Sequence, residues 1–270
     1  MKCFFITPTY NKAHLIGQVF DGIVNSVSGE MDYKIIFVVD GCTDNTEEVL
    51  KNKIEEHSLQ DKVVLLTAPN IHEILSLNLA LQYIKDNLNP APEDLIFTVQ
   101  DDVVIEESNV DLIFENLFNT YDDLGYVSFR LALSLMKTGD TIAEYNFAES
   151  EFGHWKQLGL NHFTEIKHYD FLVAEAVVRS PTCVQWKRYS EVGFYNEELA
   201  PCGFDCQDFS IRMNLHGYRN GVYALKYRSD VDWGSTREKP ETEVNSKMGQ
   251  IQERNKAYLA KTYQEYFEKK

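Results

Sequence analysis

Positive charge is scarce in this sequence. Its 26 Lys and Arg face 42 Asp and Glu, for a net charge of −16. That balance excludes a nucleic-acid backbone as partner, because phosphates demand clustered cations. A phosphate bridged by a metal ion stays compatible with it. Proline and glycine are also few, at 7 and 14 in 270 residues, which excludes collagen-like and low-complexity architectures. The cysteines are Cys3, Cys42, Cys183, Cys202 and Cys206, an odd number. The Cys202/Cys206 spacing suits neither a CxxC redox pair nor a common zinc site. These features read as reduced thiols and a cytoplasmic protein. No apolar run approaches the roughly 18 residues of a membrane span. The run Cys3–Thr7 meets Pro8 at once and reads as a strand, not as a signal peptide. No 20–50-residue repeat is visible, and neither a Walker-type loop nor GxGxxG follows the first strand. The chain is long enough, at 44% hydrophobic, to bury a core without disulfides.

The first half alternates strand and helix. Cys3–Thr7, Lys34–Val39, Val63–Thr67 and Leu95–Val99 are short apolar runs of strand length. Between them, His14–Val27 carries a helical stripe, Asp44 with Glu47 forms a capping pair for a helix to about His57, and Glu73–Asp86 is helical. Near-continuous apolar strands separated by helices imply an α/β fold whose parallel sheet is covered on both faces. Farther on, Asn109–Tyr121 and Gln207–His216 read as helices, and Tyr126–Leu133, Leu172–Arg179 and Gly221–Tyr227 as strands. Lys137–Tyr169 has weak periodicity and reads as a loop-rich insertion. Its aromatics (Tyr145, Phe147, Phe152, Trp155, Phe163 and Tyr169) are either core or a platform for a sugar acceptor. Glu243–Phe267 has helical spacing: it docks on the rest of the chain or, through Arg254, Lys256, Lys261, Lys269 and Lys270, touches a membrane surface or a partner.

Ligands of open α/β sheets sit beyond the carboxyl ends of the strands. Three polar clusters fall there: Thr7-Pro8-Thr9-Tyr10-Asn11, Val39–Thr46, and Gln100-Asp101-Asp102. Any one of them reads as a turn; at successive strand ends they describe one cleft. A pyrophosphate beside Asp101 and Asp102 needs a cation between, and hard ions such as Mg²⁺ or Mn²⁺ bridge carboxylates and diphosphate.

A longer cluster follows: Arg179-Ser180-Pro181, Tyr189–Glu198, Cys202–Arg212 and Gly217-Tyr218-Arg219. With it, the chain resembles the family 2 glycosyltransferases over roughly residues 3–235. Pro8–Asn11 is similar to the family's PTYN, Val39–Thr46 to its VDDGSTDNT, and Gln100–Asp102 to its DxD. Glu191–Glu197, Gly203–Arg212 and Gly217–Arg219 are similar to its GgfDE, GEDxDLxxR and GYR segments. The resemblance implies a GT-A fold, with a Rossmann-like, mostly parallel central sheet and helices on both faces. It divides the chain into a catalytic domain, 1–240, and a helical tail, 241–270; the nucleotide-binding half is about 1–105 and the acceptor half 106–240. Pro8, Thr9, Tyr10, Asp40, Asn78, Gln100 and Asp101 would contact the donor, with Asp40 accepting from the base. Asp102 would be the principal metal-contacting carboxylate, for Mn²⁺ or Mg²⁺. The segment Asp205–Asp208 would hold the catalytic base. The implied reaction is an inverting transfer from a nucleotide sugar, UDP-sugar favoured, to a glycan, lipid-linked or protein acceptor in polysaccharide synthesis.

The sequence departs from the family pattern in four places. Gln100 stands for the first acid of DxD, and Ser76-Leu77 precede Asn78 where an Arg is frequent. Cys206 falls at the usual base position, leaving Asp205 or Asp208 to serve; nothing nearby in sequence would activate its thiol. No His follows the last core strand; Asp230 and Asp232 stand there, with Asp232 as a candidate oxygen ligand or as solvated surface. Two rivals remain: a donor- or carbohydrate-binding pseudoenzyme, and a nucleotidyltransferase. The second needs a basic, Gly-rich N-terminal loop, where this chain has only Lys12. His72, His154, His162, His168 and His216 lack ligand spacing and read as surface or structural residues.

Overall fold

The computed structural model describes residues 1–153, 164–234 and 242–270. The first strands and helices are β1 (Lys2–Thr9), α1 (Ile16–Ser26), β2 (Asp32–Asp40), α2 (Thr46–Glu56), β3 (Val63–Ala68), α3 (His72–Tyr83) and β4 (Leu95–Thr98). The four strands pair in parallel in the order β3-β2-β1-β4. Strand periodicity explains why helices cover both faces. Phe4 and Ile6 of β1 join one core, with Ile74, Leu77 and Leu81 of α3. Cys3 and Phe5 point the other way, into a second core with Ile16, Val19 and Phe20 of α1.

Beyond β4 the sheet adds four strands to make eight, in the outward order Thr182–Gln185, Leu124–Ser128, Arg219–Tyr223 and Phe171–Ala174; the first and last run antiparallel to their neighbours, and Leu124–Ser128 pairs in parallel with Arg219–Tyr223. The remaining elements of this half begin with β5 (Val104–Ile105), α4 (Val110–Thr120), β6 (Leu124–Ser128), β7 (Leu131–Thr138), β8 (Thr141–Ser150) and β9 (Thr164–Ile166). They continue with β10 (Phe171–Ala174), β11 (Ala176–Val178), β12 (Thr182–Gln185), α5 (Trp186–Val192), α6 (Asp205–Leu215), β13 (Arg219–Tyr223) and β14 (Tyr227–Arg228). A second sheet, β11-β7-β8-β9, stands beside the main one. The central sheet, with its parallel half and flanking helices, matches the expected α/β architecture.

Several sequence expectations need correction. Tyr126–Leu133 is not one strand: β6 belongs to the main sheet, β7 to the second, and the chain turns between them at Phe129-Arg130. Leu172–Arg179 divides likewise at Glu175, since Ala174 pairs with Asn220 and Ala176 with Leu133. Both runs are mainly apolar, and the lone charged residue at each change of sheet, Arg130 or Glu175, reads in a strand pattern as an outward-facing position and not as a break. The expected loop-rich insertion holds the β7–β8 hairpin, turning at Gly139 with φ +63°. Its His154, Trp155, His162 and Phe163 lie outside the described residues. Asp44 does not cap with Glu47; it accepts from the Thr46 amide at 3.0 Å and the Thr46 hydroxyl at 2.5 Å. The helix expected over Glu73–Asp86 keeps regular α geometry only to Tyr83, continuing as one wider turn over Ile84–Leu88.

The C-terminal tail is three helices, Glu243–Ser246, Met248–Thr262 and Gln264–Glu268, folded onto the core. Asn255 is fully buried; its side-chain amide contacts the carbonyls of Leu199, Cys202 and Gly203 at 2.8–3.1 Å. The Tyr263 hydroxyl donates to Asp208 at 2.6 Å, and the Tyr266 hydroxyl to Glu175 at 2.9 Å. The tail's cations are largely engaged within the chain: Arg254 with the Ala200 carbonyl, Lys256 with Glu253, Lys269 with Glu265 and Lys270 with Glu175. Among the described residues, no helix is long and apolar enough to cross a membrane. Removing the Asn255 amide would leave the loop carbonyls without donors in a dry interface. Asn255→Ala is therefore expected to lower unfolding free energy by about 2–3 kcal/mol in urea titration. An exposed-residue control, Lys261→Ala, should change it by less than about 0.5 kcal/mol.

Candidate active site

The loops after β1 and β2 are stitched into one rim. Asn11 adopts φ +51°, and its side-chain carbonyl accepts from the Thr43 and Asp44 amides at 2.6 and 3.2 Å. The Thr46 hydroxyl accepts from the Lys12 amide at 2.7 Å, and Asp44 from the Ala13 amide at 3.1 Å. The buried Asp40 carboxylate takes the Ile71 and His72 amides at 2.6 and 2.7 Å, anchoring the start of α3. Gly41 next to it has φ +67°, and a Cβ there would lie 2.6–2.9 Å from Asn70, so glycine is required twice over. The rim joins β4 through Asp101, whose carboxylate accepts from the Tyr10 amide at 3.0 Å.

Above these strand ends lies a cleft of about 490 Å³. Pro8, Thr9, Tyr10, Asp40, Gln100, Asp101 and Asp102 all line it. Four residues chosen from the sequence do not, and one of them, Asp205, lines a neighbouring hollow instead. Asn78 is buried, exchanging hydrogen bonds with the Tyr195 backbone at 2.9 and 3.0 Å. Asp208 is inaccessible to solvent; it pairs with Arg212 at 2.8 Å and accepts from Asn196 and Tyr263. Asp232 is exposed in a short 3₁₀ turn, although Gly234 just beyond it reaches the cleft.

The cleft also gathers residues the sequence did not single out as ligands. His72 and Glu73 come from the start of α3, Arg130 from the β6–β7 turn, Arg179 from the end of β11, and Thr242–Asn245 with Met248 from the tail. His72, read from sequence as surface or structural, thus stands in the cleft wall. His168 instead faces Glu107 at 2.6 Å, and His216 is exposed.

Arg179 organises the floor. Its guanidinium lies 3.1 Å from Glu73 and 2.5 Å from Asp205, and it is almost fully buried. Gln100 donates to the other oxygen of Glu73 at 2.7 Å. A carboxylate thus does stand beside Gln100, supplied by α3 instead of the DxD position. Burial favours a neutral guanidinium, but Asp205 and then Glu73 hold Arg179 charged. Asp205 is pushed up by burial, with Arg179 opposing and Glu73 adding to the rise. The direction follows from charge: one guanidinium between two carboxylates leaves one negative charge in excess.

A second hollow, about 260 Å³, opens beside the first. The two share Glu73, Gln100, Val178 and Arg179, and Asp205 and Cys206 line the second. The Cys206 thiol is pushed up to about 12, chiefly by burial and next by Asp205, so it stays protonated and is no nucleophile. It accepts from the Arg179 amide at 3.4 Å.

Residues 4–131 match the model of glycosyl transferase family 2. Over that stretch, somewhat less than half of its length, the chain is similar to the family 2 glycosyltransferases. A comparison with curated protein sequences finds no match. Among solved structures, the chain is similar to GalNAc-T7 with UDP, GalNAc and Mn²⁺ (TM-score 0.63, 9% identity, 85% of this chain and 44% of that one). It is also similar to the mannosyltransferase PcManGT of Pyrobaculum calidifontis in complex with GDP-Man and Mn²⁺ (0.52, 14%, 83% and 57%). A third is S. aureus TarS 1-349 in complex with UDP (0.53, 16%, 88% and 62%). At these identities the likeness is one of fold, and the fold is GT-A. The chain spans between 44% and 62% of the length of these structures.

The donor set suits a small, hard cation. Five carboxylates (Asp40, Glu73, Asp101, Asp102 and Glu243) line the larger cleft against two arginines. Asp101 is pushed up to about 7 by burial and then by Asp102, with Lys12 opposing. The strand end therefore carries more negative charge than the protein neutralises. Among the described residues no group of three His, Cys, Asp or Glu forms a closed metal site. An open site completed by ligand oxygens and water is the arrangement such ions favour.

A carboxyl whose folded pKa lies above the usual value holds its proton more tightly when folded. Its cost is absent in acid and grows as pH rises toward about 7. In metal-free buffer, Asp101→Asn should therefore melt higher than wild type at pH 8, the gap closing as pH falls to about 4. Calorimetric melting across that range reads it; an equal gap at every pH would contradict the assignment.

Proposed function

We propose that this protein transfers a sugar from a nucleoside diphosphate sugar, held in the larger cleft with Mn²⁺ or Mg²⁺, to a hydroxyl of an acceptor in the smaller hollow. The observation that carries this reading is the junction of the two spaces. The Asp205 hollow opens onto the cleft that holds Asp101 and Asp102, across Arg179 and Gln100. The likeness of fold to enzymes crystallised with UDP or GDP-Man and Mn²⁺ supports the choice of donor class.

Pro8 and Tyr10 at the end of β1 would flank the nucleotide base. Asp40 spends one lone pair of each oxygen on the α3 amides and keeps others for a base N–H. Asp102 would hold the cation. When bound, that ion supplies positive charge to the departing diphosphate. Asp205 is the base of choice over Asp208, because it lines the hollow while Asp208 is saturated by Arg212, Asn196 and Tyr263. Asp205 takes the acceptor hydroxyl proton as that oxygen attacks the anomeric carbon, on the face opposite the leaving diphosphate, with inversion. Arg179 keeps the Asp205 carboxylate oriented and returns it to the charged state. Five unpaired cysteines fit a reducing, cytoplasmic setting, and assembly of a glycan is the process this chemistry serves.

Three measurements test the reading. Calorimetry with UDP and Mn²⁺ should show binding to wild type, reduced at least ~tenfold in Asp102→Ala. Asp205→Asn should keep UDP binding and lose ~10²–10⁴-fold in turnover of a UDP- or GDP-sugar. Because burial raises Asp205, the rate should fall with decreasing pH through an inflection above the ordinary aspartate range. Arg179→Gln should move that inflection higher still. No UDP or GDP binding by a folded sample would sink the proposal.

A further inference from the structure

The charge of the smaller hollow restricts what can enter it, an inference that rests on the transfer reading above. The space lies between the second sheet, the start of α6 and the tail helix Met248–Thr262. At about 260 Å³ it falls below the ~300–1,000 Å³ of sites for drug-sized ligands, so one ring fits and a longer segment must leave through the mouth. Leu133 and Phe204 form apolar wall, and Glu144, Asn146, Gln207 and Gln252 present amide and carboxylate groups. Such groups both donate to and accept from hydroxyls. Gln207 is buried and donates to Glu144, which orients the carboxylate at the exposed rim.

Three carboxylates, Glu73, Glu144 and Asp205, line this hollow against the guanidinium of Arg179. Arg179 already bridges Glu73 and Asp205, so no cation of the lining is left to meet an anionic ligand. Its Nε, buried and without a protein partner, offers a donor to a neutral oxygen.

We propose that the acceptor presents a single uncharged sugar ring to this hollow, and that Glu144 makes the site selective against acceptors bearing a carboxylate or phosphate. Selectivity arises by repulsion: an acidic ring would place a like charge beside Glu144, and the nearby Lys256 is already paired with Glu253.

Ligand-observed NMR on the full chain saturated with UDP and Mn²⁺ tests this, using methyl hexosides, the matching methyl hexuronosides and hexose phosphates as probes. Neutral hexosides should bind, and the acidic probes at least ~tenfold more weakly. Glu144→Gln should raise the ratio of hexuronoside to hexoside affinity ~threefold to fivefold. Gln252→Arg, an exposed change, should raise hexuronoside affinity in the same direction. Acidic probes that bind wild type as well as neutral ones, or a preference untouched by Glu144→Gln, would overturn the inference. So would the absence of hexoside binding in a protein that still binds UDP. Failure of UDP itself to bind would instead remove the transfer reading, and this inference with it.

Discussion

One buried guanidinium connects the parts of this molecule that must act together. Arg179 follows directly on β11 of the second sheet, Glu73 lies in the first turn of α3 of the parallel half, and Asp205 opens α6. Three segments far apart in sequence thus meet on one side chain. Burying such a cluster costs solvation that attraction alone seldom repays, so its presence is weak evidence of a stability role. It lies where the two hollows join, and its charge opposes the burial that raises Asp205. That placement makes sense as chemistry more than as scaffolding.

The same surplus of negative charge explains the arrangement of both spaces. In the larger cleft, Asp101 and Asp102 share a strand end, with Lys12 as the cation that opposes Asp101. An anionic diphosphate enters such a place only in company with a metal ion. In the smaller hollow, the proposed acceptor site, the same surplus would act as a filter against acids. Gln100 fits both demands: by replacing an acid with an amide it can donate to Glu73, where a second carboxylate would repel it.

Much of the parallel half was legible before any coordinates. Near-continuous apolar strands, helical stripes and polar strand ends placed Pro8–Tyr10, Asp40 and Gln100–Asp102 in one cleft, where they stand. The second half was read less well, for identifiable reasons. The changes of sheet at Phe129-Arg130 and Glu175 fall at single charged residues within mainly apolar runs, which strand periodicity does not distinguish from outward-facing positions. Arg179 was noticed as part of a motif but not as a link, because nothing local tells an Arg which carboxylates it will meet. Glu73 looked like an ordinary acid in the first turn of a helix. Asn78 carried a suggestive type and position, yet its amide is spent on the Tyr195 backbone.

The sequence by itself determined the layered architecture and the cluster of acids at the strand ends. Both follow from local pattern: side-chain periodicity sets which face is buried, and a polar group after an apolar strand must emerge at its end. Only the tertiary structure decided which of Asp205 and Asp208 faces the hollow. They lie three residues apart at the start of one helix, and both are buried. The difference is their company: Asp208 is enclosed by Arg212, Asn196 and the tail's Tyr263, and Asp205 meets Arg179 at an open space. Likewise, the tail's share in the larger cleft depends on long-range packing around Asn255, which no local pattern encodes.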